Sequence, residues 1–401
     1  MLSDFVQVGQ LTIIDANNVT HVYGPGGENT PFSVIRLTDS SLNHKLFFNP
    51  ELYAGEAYMN GTLICEQGGI RGLLEIFAHN RVKLRKQPTQ KVIRRWTKRI
   101  KKWQQKNKQP AAQKNVQHHY DISNDFYQLF LDDDMNYSCA YYENSSMTLE
   151  QAQTAKKLHI ASKLNLRSGN TILDIGCGWG SMAIFLAENF GCKVIGVTLS
   201  KEQQELAMQR VQARGLTNQV DIQLKDYRNV DKKFDRIVSI GMFEHVGVVN
   251  YLEYFRKIKN LLNDDGCALV HSIGRKGGPG NTGAWIRKYI FPGGYSPSLS
   301  ETFSEIEKAG LWVTDCEILR MHYAETLLEW EKRFQNNREQ VLKMFDDKFC
   351  RMWEFYLIVS EFSFRHGKHM NFQIQLTKNV DSLPYTRDYI GKVEHSKKHL
   401  I

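Results

Sequence analysis

The stretch Thr171 to Ser200, TILDIGCGWGSMAIFLAENFGCKVIGVTLS, constrains the fold more than any other part of the chain. Thr171 to Ile175 is a short apolar run with Asp174 near its end, and Gly176, Gly178 and Gly180 follow at once. A strand running into a tight turn is expected there. Ser181 opens a helical pattern in which Met182, Ile184, Phe185 and Leu186 crowd one side. Gly191 closes that helix before a second apolar run, Lys193 to Thr198. Glycines lack a Cβ, so the backbone can curl tightly and approach a ligand at the carboxyl edge of a parallel sheet. The pattern is that of a nucleotide-type pocket.

The spacing narrows the ligand. A phosphate loop reads GxxxxGK before Ser or Thr, and a dinucleotide fingerprint reads GxGxxG. This loop reads GxGxG with Trp179 inside it. A carboxylate just ahead of the loop suits a cofactor with an amino-acid tail, because it accepts from an ammonium group. S-adenosylmethionine fits best, and the plainer alternative is an α/β turn whose glycines serve packing alone.

A chain of 401 residues exceeds one ordinary core, so two domains are expected, and 42% hydrophobic with 24% charged residues suits a soluble globular protein. The start, MLSDFVQVGQLTIID, has neither a basic head nor a long apolar run. No stretch approaches the roughly 20 apolar residues of a membrane helix, so a cytoplasmic chain is expected. Seven cysteines without a CxxC pair point away from a disulfide framework or a zinc site, and fit a reducing compartment. The net charge of +9 is unevenly spread. Fourteen Lys or Arg and no acid lie between Ile76 and Tyr120, and removing them from the total leaves the remainder at −5.

Residues 1–85 read as a small α+β domain. Its short alternating runs are Leu11 to Ile14, Phe32 to Leu37 and Lys45 to Phe48, and helical material follows at Pro50 to Met59 and Ile70 to Val82. His21, His44 and His79 lie far apart and read as ordinary histidines. Residues 86–115 form a basic linker in which Ile93, Trp96, Ile100 and Trp103 fall on one helical face, ringed by Arg94, Arg95, Lys98, Arg99, Lys101 and Lys102. A basic amphipathic helix with tryptophan suits an anionic membrane surface. Equally, its apolar stripe suits docking on a neighbouring domain. No recognised DNA or RNA module accompanies the charge, so no nucleic-acid partner is expected.

Residues 116–401 form the larger domain. A helix from Thr148 to Leu164 carries a capping box, with Thr148 as N-cap and Gln151 three residues on. Beyond the glycine loop come strands at Val220 to Leu224, Asp235 to Ile240 and Cys267 to Ile273, with a helix at Tyr251 to Leu262. Alternation of strand and helix predicts an α/β fold with a doubly wound, mainly parallel sheet. The segment Glu325 to Arg365 is helical, and its Phe345, Phe349, Trp353 and Tyr356 suit either core packing or the wall of an apolar tunnel. Glu244 and His271 fall near the rim that carries Gly176 and Gly178. A carboxylate and an imidazole beside a methyl donor suit holding a base or an anion.

From about Val116 onward the chain resembles the cyclopropane fatty acid synthases, including the mycolic acid cyclopropane synthases. HYDISNDFY, YSCAYY, LDIGCGWG, GVTLSKEQQ, FDRIVSIGMFEHVG, LVHSIG, KYIFPGG and HYAETL occur in the family's order. The resemblance implies a class I, Rossmann-like S-adenosylmethionine-dependent methyltransferase. It implies cofactor contacts at Tyr137, Ser138, Gly176, Gly178, Thr198, Leu199, Gln203 and Tyr227, beside the Asp174 read above. It also implies a bicarbonate ion held at Cys139, Glu244, His271, Ile273 and Tyr323. In place of an acid after the second strand, the chain offers Thr198 and Gln203 to the ribose.

The implied reaction adds a methyl to an isolated cis double bond and leaves a cation on the acyl chain. Aromatic faces stabilise such a cation, and Tyr120, Phe126, Tyr127, Phe243 and Phe291 are the candidates. Bicarbonate then takes the last proton, which requires Cys139 to be no nucleophile. The amino-terminal domain and basic segment resemble the longer bacterial enzymes that act on phospholipids. Unsaturated phospholipids at the inner face of the cell membrane are therefore the expected partners, with the amino-terminal domain as a lipid or homodimer contact. A methyl-branched or methylene product, a non-catalytic lipid-binding protein and a methyltransferase for a soluble small molecule are the alternatives, the last disfavoured by the aromatic-rich carboxyl part.

Overall fold

The computed structural model describes residues 5–86 and 123–401. The amphipathic stripe of the basic linker and Tyr120 lie outside the described residues. The chain forms two compact units. One gathers the amino-terminal residues with Asn281–Pro292 and Leu327–Lys368, and the other gathers 123–280 with Gly293–Thr326 and His369–Ile401. The aromatic stripe of Phe345, Phe349, Trp353 and Tyr356 thus groups with the amino-terminal residues, although the sequence reading placed it inside 116–401.

The first unit holds a four-stranded sheet of β1 (Gln10–Ile14), β2 (Thr20–Tyr23), β3 (Phe32–Leu37) and β4 (Leu63–Gln67), in the order β2-β1-β3-β4. β1 and β3 run parallel, and the two outer pairs are antiparallel. The run Lys45 to Phe48, expected to be extended, lies instead in a helix, α1 (Leu42–Phe48). Asp39 accepts from the Ser41 N–H and hydroxyl and so turns the chain into that helix, and four alternating residues are too few to resist. α2 (Pro50–Met59) follows at once, with Asn49 capping Leu52 and Pro50 in the first turn. Gly55 in α2 is required by close approach, since a Cβ there would sit 2.5 Å from the Trp285 ring and 2.9 Å from Phe355. α3 (Gly69–Lys86) brings Arg71 to the buried Glu361 of the helix Asp347–Arg365, at 2.7 Å.

The second unit is built on seven strands: β5 (Thr171–Ile175), β6 (Lys193–Thr198), β7 (Val220–Leu224), β8 (Phe234–Ile240), β9 (Leu262–Arg275), β10 (Trp312–Leu319) and β11 (His369–Thr377). Their order is β10-β11-β9-β8-β5-β6-β7. β5 to β9 are parallel, and β11 and β10 add an antiparallel edge. Alternate residues of β5 feed two cores. Leu173 and Ile175 pack with α7 (Tyr251–Leu261) and α8 (Leu299–Ala309), by way of Phe255, Ile258 and Ile306. Ile172 packs on the other face with α4 (Leu149–Lys163), α5 (Ser181–Phe190) and α6 (Lys201–Ala213), by way of Leu158, Leu186 and Ala207. The strand order reverses at β5, so the loops after β5 and β8 open a crevice at the carboxyl edge, where open α/β sheets bind ligands. Among the described residues no helix is long and apolar enough to cross a membrane.

Candidate active site

The glycine turn is built by positive φ. Gly176, Gly178 and Gly180 have φ of 79°, 54° and 80°, a region that side chains disfavour. The Gly176 and Cys177 N–H groups both donate to Val197 O, at 2.9 and 3.1 Å, which ties the turn to β6. A Cβ on Gly178 would meet nothing within 4 Å, so its backbone borders open space. Trp179, in the same turn, is buried and held by its neighbours. Its Nε1 donates to Asn124 at 2.8 Å, its ring lies 5.1 Å from Tyr127, and Arg210 donates to its carbonyl at 2.9 Å.

Asp174 ends β5 fully buried, and its Oδ2 has no hydrogen-bond partner. Burial pushes its carboxyl up to about 7, while the Lys156 charge pulls it back. A buried acid with an unpartnered oxygen beside open backbone fits a ligand that brings an ammonium donor. Thr198 and Gln203 are buried at the end of β6 and the start of α6, and Thr198 Oγ1 donates to Gln203 Oε1 at 2.8 Å. Leu199 follows Thr198, half-buried, and Tyr227 lies in the turn after β7 with its phenol raised by burial.

Tyr137 and Ser138 reach this rim on a loop that α4 holds. Gln153 Nε2 donates to Ser138 O at 3.0 Å, and Lys156 Nζ donates to Ser138 Oγ at 2.8 Å and Asn136 Oδ1 at 3.3 Å. The Tyr137 ring packs on Tyr127 at 5.3 Å. Lys156 was not singled out in the sequence. It is 1% exposed, burial lowers its ammonium to about 8, and its charge acts on Asp174, Cys139 and His271.

The second group gathers where β8 and β9 end and β11 begins. Glu244 lies in a short 3₁₀ turn after β8 and is buried, and burial raises its carboxyl to about 7. Its Oε1 accepts from the Ile273 N–H at 2.6 Å, and its Oε2 has no partner. The Ile273 amide is therefore spent on Glu244. His271 in β9 is 1% exposed and is held neutral, pushed down to about 3 by burial and by neighbouring cations. Asn371 and Gln373 of β11 flank its ring, each at 3.2 Å, and neither was foreseen. Period-two alternation in HMNFQIQLT marks that strand, and burial of its polar face as well is what the pattern does not announce.

Cys139 is fully buried. Burial keeps its thiol protonated, and the Sγ donates to Ala140 O at 3.3 Å. The next residue ties this segment to the helix that carries Tyr323, because Ala140 N–H donates to Thr326 Oγ1 at 3.1 Å. Tyr323 is 8% exposed. The described aromatic candidates fall in different packing clusters. Phe126 and Tyr127 belong to the cluster with Tyr137 and Trp179, whereas Phe243 is spent in the core against Tyr251, Tyr254 and Phe255. Phe291 packs on Tyr356 in the other unit, 5.9 Å between centroids.

A doubly wound sheet reversed at β5, with an acid and a glycine turn at the reversal and an antiparallel β11-β10 edge, defines a class I S-adenosylmethionine-dependent methyltransferase. The family model of mycolic acid cyclopropane synthetase matches residues 105–374. The chain belongs to that family, the cyclopropane fatty acid synthases. A probable fatty acid methyltransferase of Pseudomonas putida is 43% identical over 68% of this chain and 72% of its own. The cyclopropane-fatty-acyl-phospholipid synthase of Escherichia coli strain K12 is 39% identical over 66% of this chain and 68% of its own. Among solved structures, the mycolic acid cyclopropane synthase CmaA1 complexed with SAH and CTAB superposes with a TM-score of 0.62 at 35% identity. That likeness covers 66% of this chain and 97% of the other.

Proposed function

We propose that this protein transfers the methyl of S-adenosylmethionine to the cis double bond of acyl chains in membrane phospholipids and closes a cyclopropane ring. The observation that supports it best is a pair of buried acids at the carboxyl edge, each with an unpartnered oxygen, Asp174 beside the glycine turn and Glu244 beside β9. When bound, S-adenosylmethionine supplies an electrophilic sulfonium methyl. Asp174 would take its ammonium, the backbone of Gly176 and Gly178 would border it, and Thr198 and Gln203 would offer neutral partners to the ribose. Tyr137, Ser138, Leu199 and Tyr227 complete the enclosure.

An alkene is a weak nucleophile, so the site must contain nothing that outcompetes it for the methyl or traps the resulting cation. Cys139, held as a buried thiol, meets that condition. The final proton needs a base, and bicarbonate, when bound, supplies a small oxyanion for it. Cys139, Glu244, His271, Ile273 and Tyr323 are the residues that would hold it, Ile273 only by its carbonyl because its N–H is committed to Glu244. A second anion beside an ionised carboxylate is repelled. Glu244, raised to about 7, is available as the neutral acid, with Oε1 on the Ile273 N–H and an Oε2–H free to donate. His271, held neutral, adds no charge beside the anion.

The cation-rich segment before Tyr120 supports a chain that works peripherally on an anionic membrane face, with the amino-terminal unit as a lipid or dimer contact. A second reading, a methyl-branched or methylene product, draws on the relative named a fatty acid methyltransferase. Incubation with methyl-labelled S-adenosylmethionine and vesicles of cis-unsaturated phospholipid separates the readings. The expected product is heavier by one CH2, has no alkene and shows cyclopropane protons at high field. Vinyl or exocyclic methylene protons, or a saturated methyl branch, would favour the second reading, and unlabelled lipid would overturn both.

A further inference from the structure

We propose that Lys163 and Gln373 are positioning residues that lock His271 into the tautomer carrying its proton on Nε2. The antiparallel register of β9 and β11 sets Gln373 directly opposite His271, and Asn371 opposite Ile273. His271, Asn371, Gln373 and Lys163 are each no more than 1% exposed, so solvent is a poor substitute for any missing partner. Lys163 Nζ donates to Gln373 Oε1 at 2.8 Å. An ammonium group only donates, so the carboxamide oxygen is pinned toward it and the Gln373 NH2 is turned to His271 Nδ1, 3.2 Å away. Nδ1 must therefore accept. Burial keeps the ring neutral, and a neutral imidazole has one acceptor and one donor, so the proton sits on Nε2.

Nε2 lies 3.2 Å from the Asn371 carboxamide and needs an acceptor there. Oxygen and nitrogen of a carboxamide exchange by a half-turn about its last bond. Asn371 is free to make that turn, because its outward oxygen would otherwise be buried without a partner. The turn leaves an Asn371 N–H as the unpartnered group. Lys163 is itself held from β10, by a hydrogen bond to Glu317 and by Asp315 at 3.7 Å. His159, 2.6 Å from the same Glu317 oxygen, completes this anchor. Order thus passes from the acids of β10 through Lys163 and Gln373 to His271. The result is a site edge that presents donors, as an anion requires. That consequence rests on the reading proposed above, whereas the tautomer depends on the fold alone.

The test is long-range ¹H–¹⁵N NMR on the full chain labelled with ¹⁵N-histidine, with His271 assigned from the signal lost in His271→Asn. The wild type is expected to show Nδ1 as a bare, pyridine-type nitrogen and Nε2 as a protonated, pyrrole-type one. A proton on Nδ1 would overturn the proposal, and this measurement needs no variant at Lys163 or Gln373. Gln373→Glu places a carboxylate that accepts from both Lys163 and the ring, so the proton should move to Nδ1. An unmoved proton in that folded variant would overturn the role of Gln373. The same variant should lose about 10²-fold or more in kcat while its affinity for S-adenosylhomocysteine, by calorimetry, stays within about twofold of wild type. Equal loss of affinity would mark Gln373 as merely structural. A wild type with the expected tautomer and no activity on lipid would support the lock and sink the lipid reading instead.

Discussion

Gly176 and Gly178 sit two residues apart in one turn, yet they ask different questions of a substitution. A Cβ on Gly176 would come within 3.0 Å of Met242, so a branched side chain there disturbs the protein as well as any ligand. Gly178 faces open space, and its positive φ costs a side chain only about 1 to 2 kcal/mol. Gly178→Val is therefore expected to stay folded, by thermal melting, while losing at least tenfold in affinity for S-adenosylhomocysteine by calorimetry. Affinity at the wild-type level would remove this loop from the cofactor site. Asp174 gives the binding a pH signature. Its folded value of about 7 means that it is protonated below that pH and charged above it. An ammonium group needs the charge, so affinity should be full above about 7 and fall as pH drops through it. Asp174→Asn should weaken binding and flatten the profile. Glu244 runs the other way. If the neutral acid donates to the anion, turnover at fixed bicarbonate should fall as pH rises through about 7. Glu244→Gln keeps a donor and an acceptor and should lack that limb, whereas Glu244→Ala should cost about 10² to 10⁴-fold. An unchanged limb in Glu244→Gln would assign the titration to another group.

At the scale of elements, α4 is the part that joins the two halves of the site. It begins at a capping box of Thr148 and Gln151, and its next two turns carry Gln153 and Lys156 against the loop of Tyr137 and Ser138. Its last turn carries Lys163 toward β11. One helix thus reaches toward both the glycine turn and His271. Replacing Lys156 with Met keeps the length and removes the charge. Ser138 then loses its donor, and Asp174 loses the cation that lowers its carboxyl. The expected result is weaker cofactor binding, with its pH midpoint moved upward from that of the wild type. A midpoint that stays in place, measured by calorimetry across pH in the folded variant, would show that Lys156 does not act on Asp174.

For the whole molecule, charge separation is the main lever on where it works. Fourteen cations without an acid between Ile76 and Tyr120 leave the rest of the chain negative, so an anionic surface attracts one segment and repels the remainder. Changing Arg94, Arg95, Lys98 and Arg99 to Gln should weaken binding to anionic vesicles. It should also reduce the salt sensitivity of that binding, since exposed charges are screened over about 8 Å at physiological ionic strength. Sedimentation that matches the wild type at every salt concentration would leave the segment as a linker.

Local rules made much of this protein legible in one dimension. Gly176, Gly178 and Gly191 must turn where few other residues can, Thr148 and Gln151 cap a helix by their own reach, and β5, β6 and β7 begin and end at the expected residues. These signals involve neighbours in the chain, so sequence alone determined them. The short run Lys45 to Phe48 misled, because the turn that Asp39 makes with Ser41 outweighed four alternating residues. Tertiary structure decided what depends on distant partners. The grouping of Leu327–Lys368 with the amino-terminal residues follows from which apolar faces meet, and no local pattern encodes that choice. Lys156, Asn371 and Gln373 were invisible for the same reason. A buried polar side chain takes its meaning from the group that satisfies it, and Gln373 lies 102 residues from the imidazole it turns.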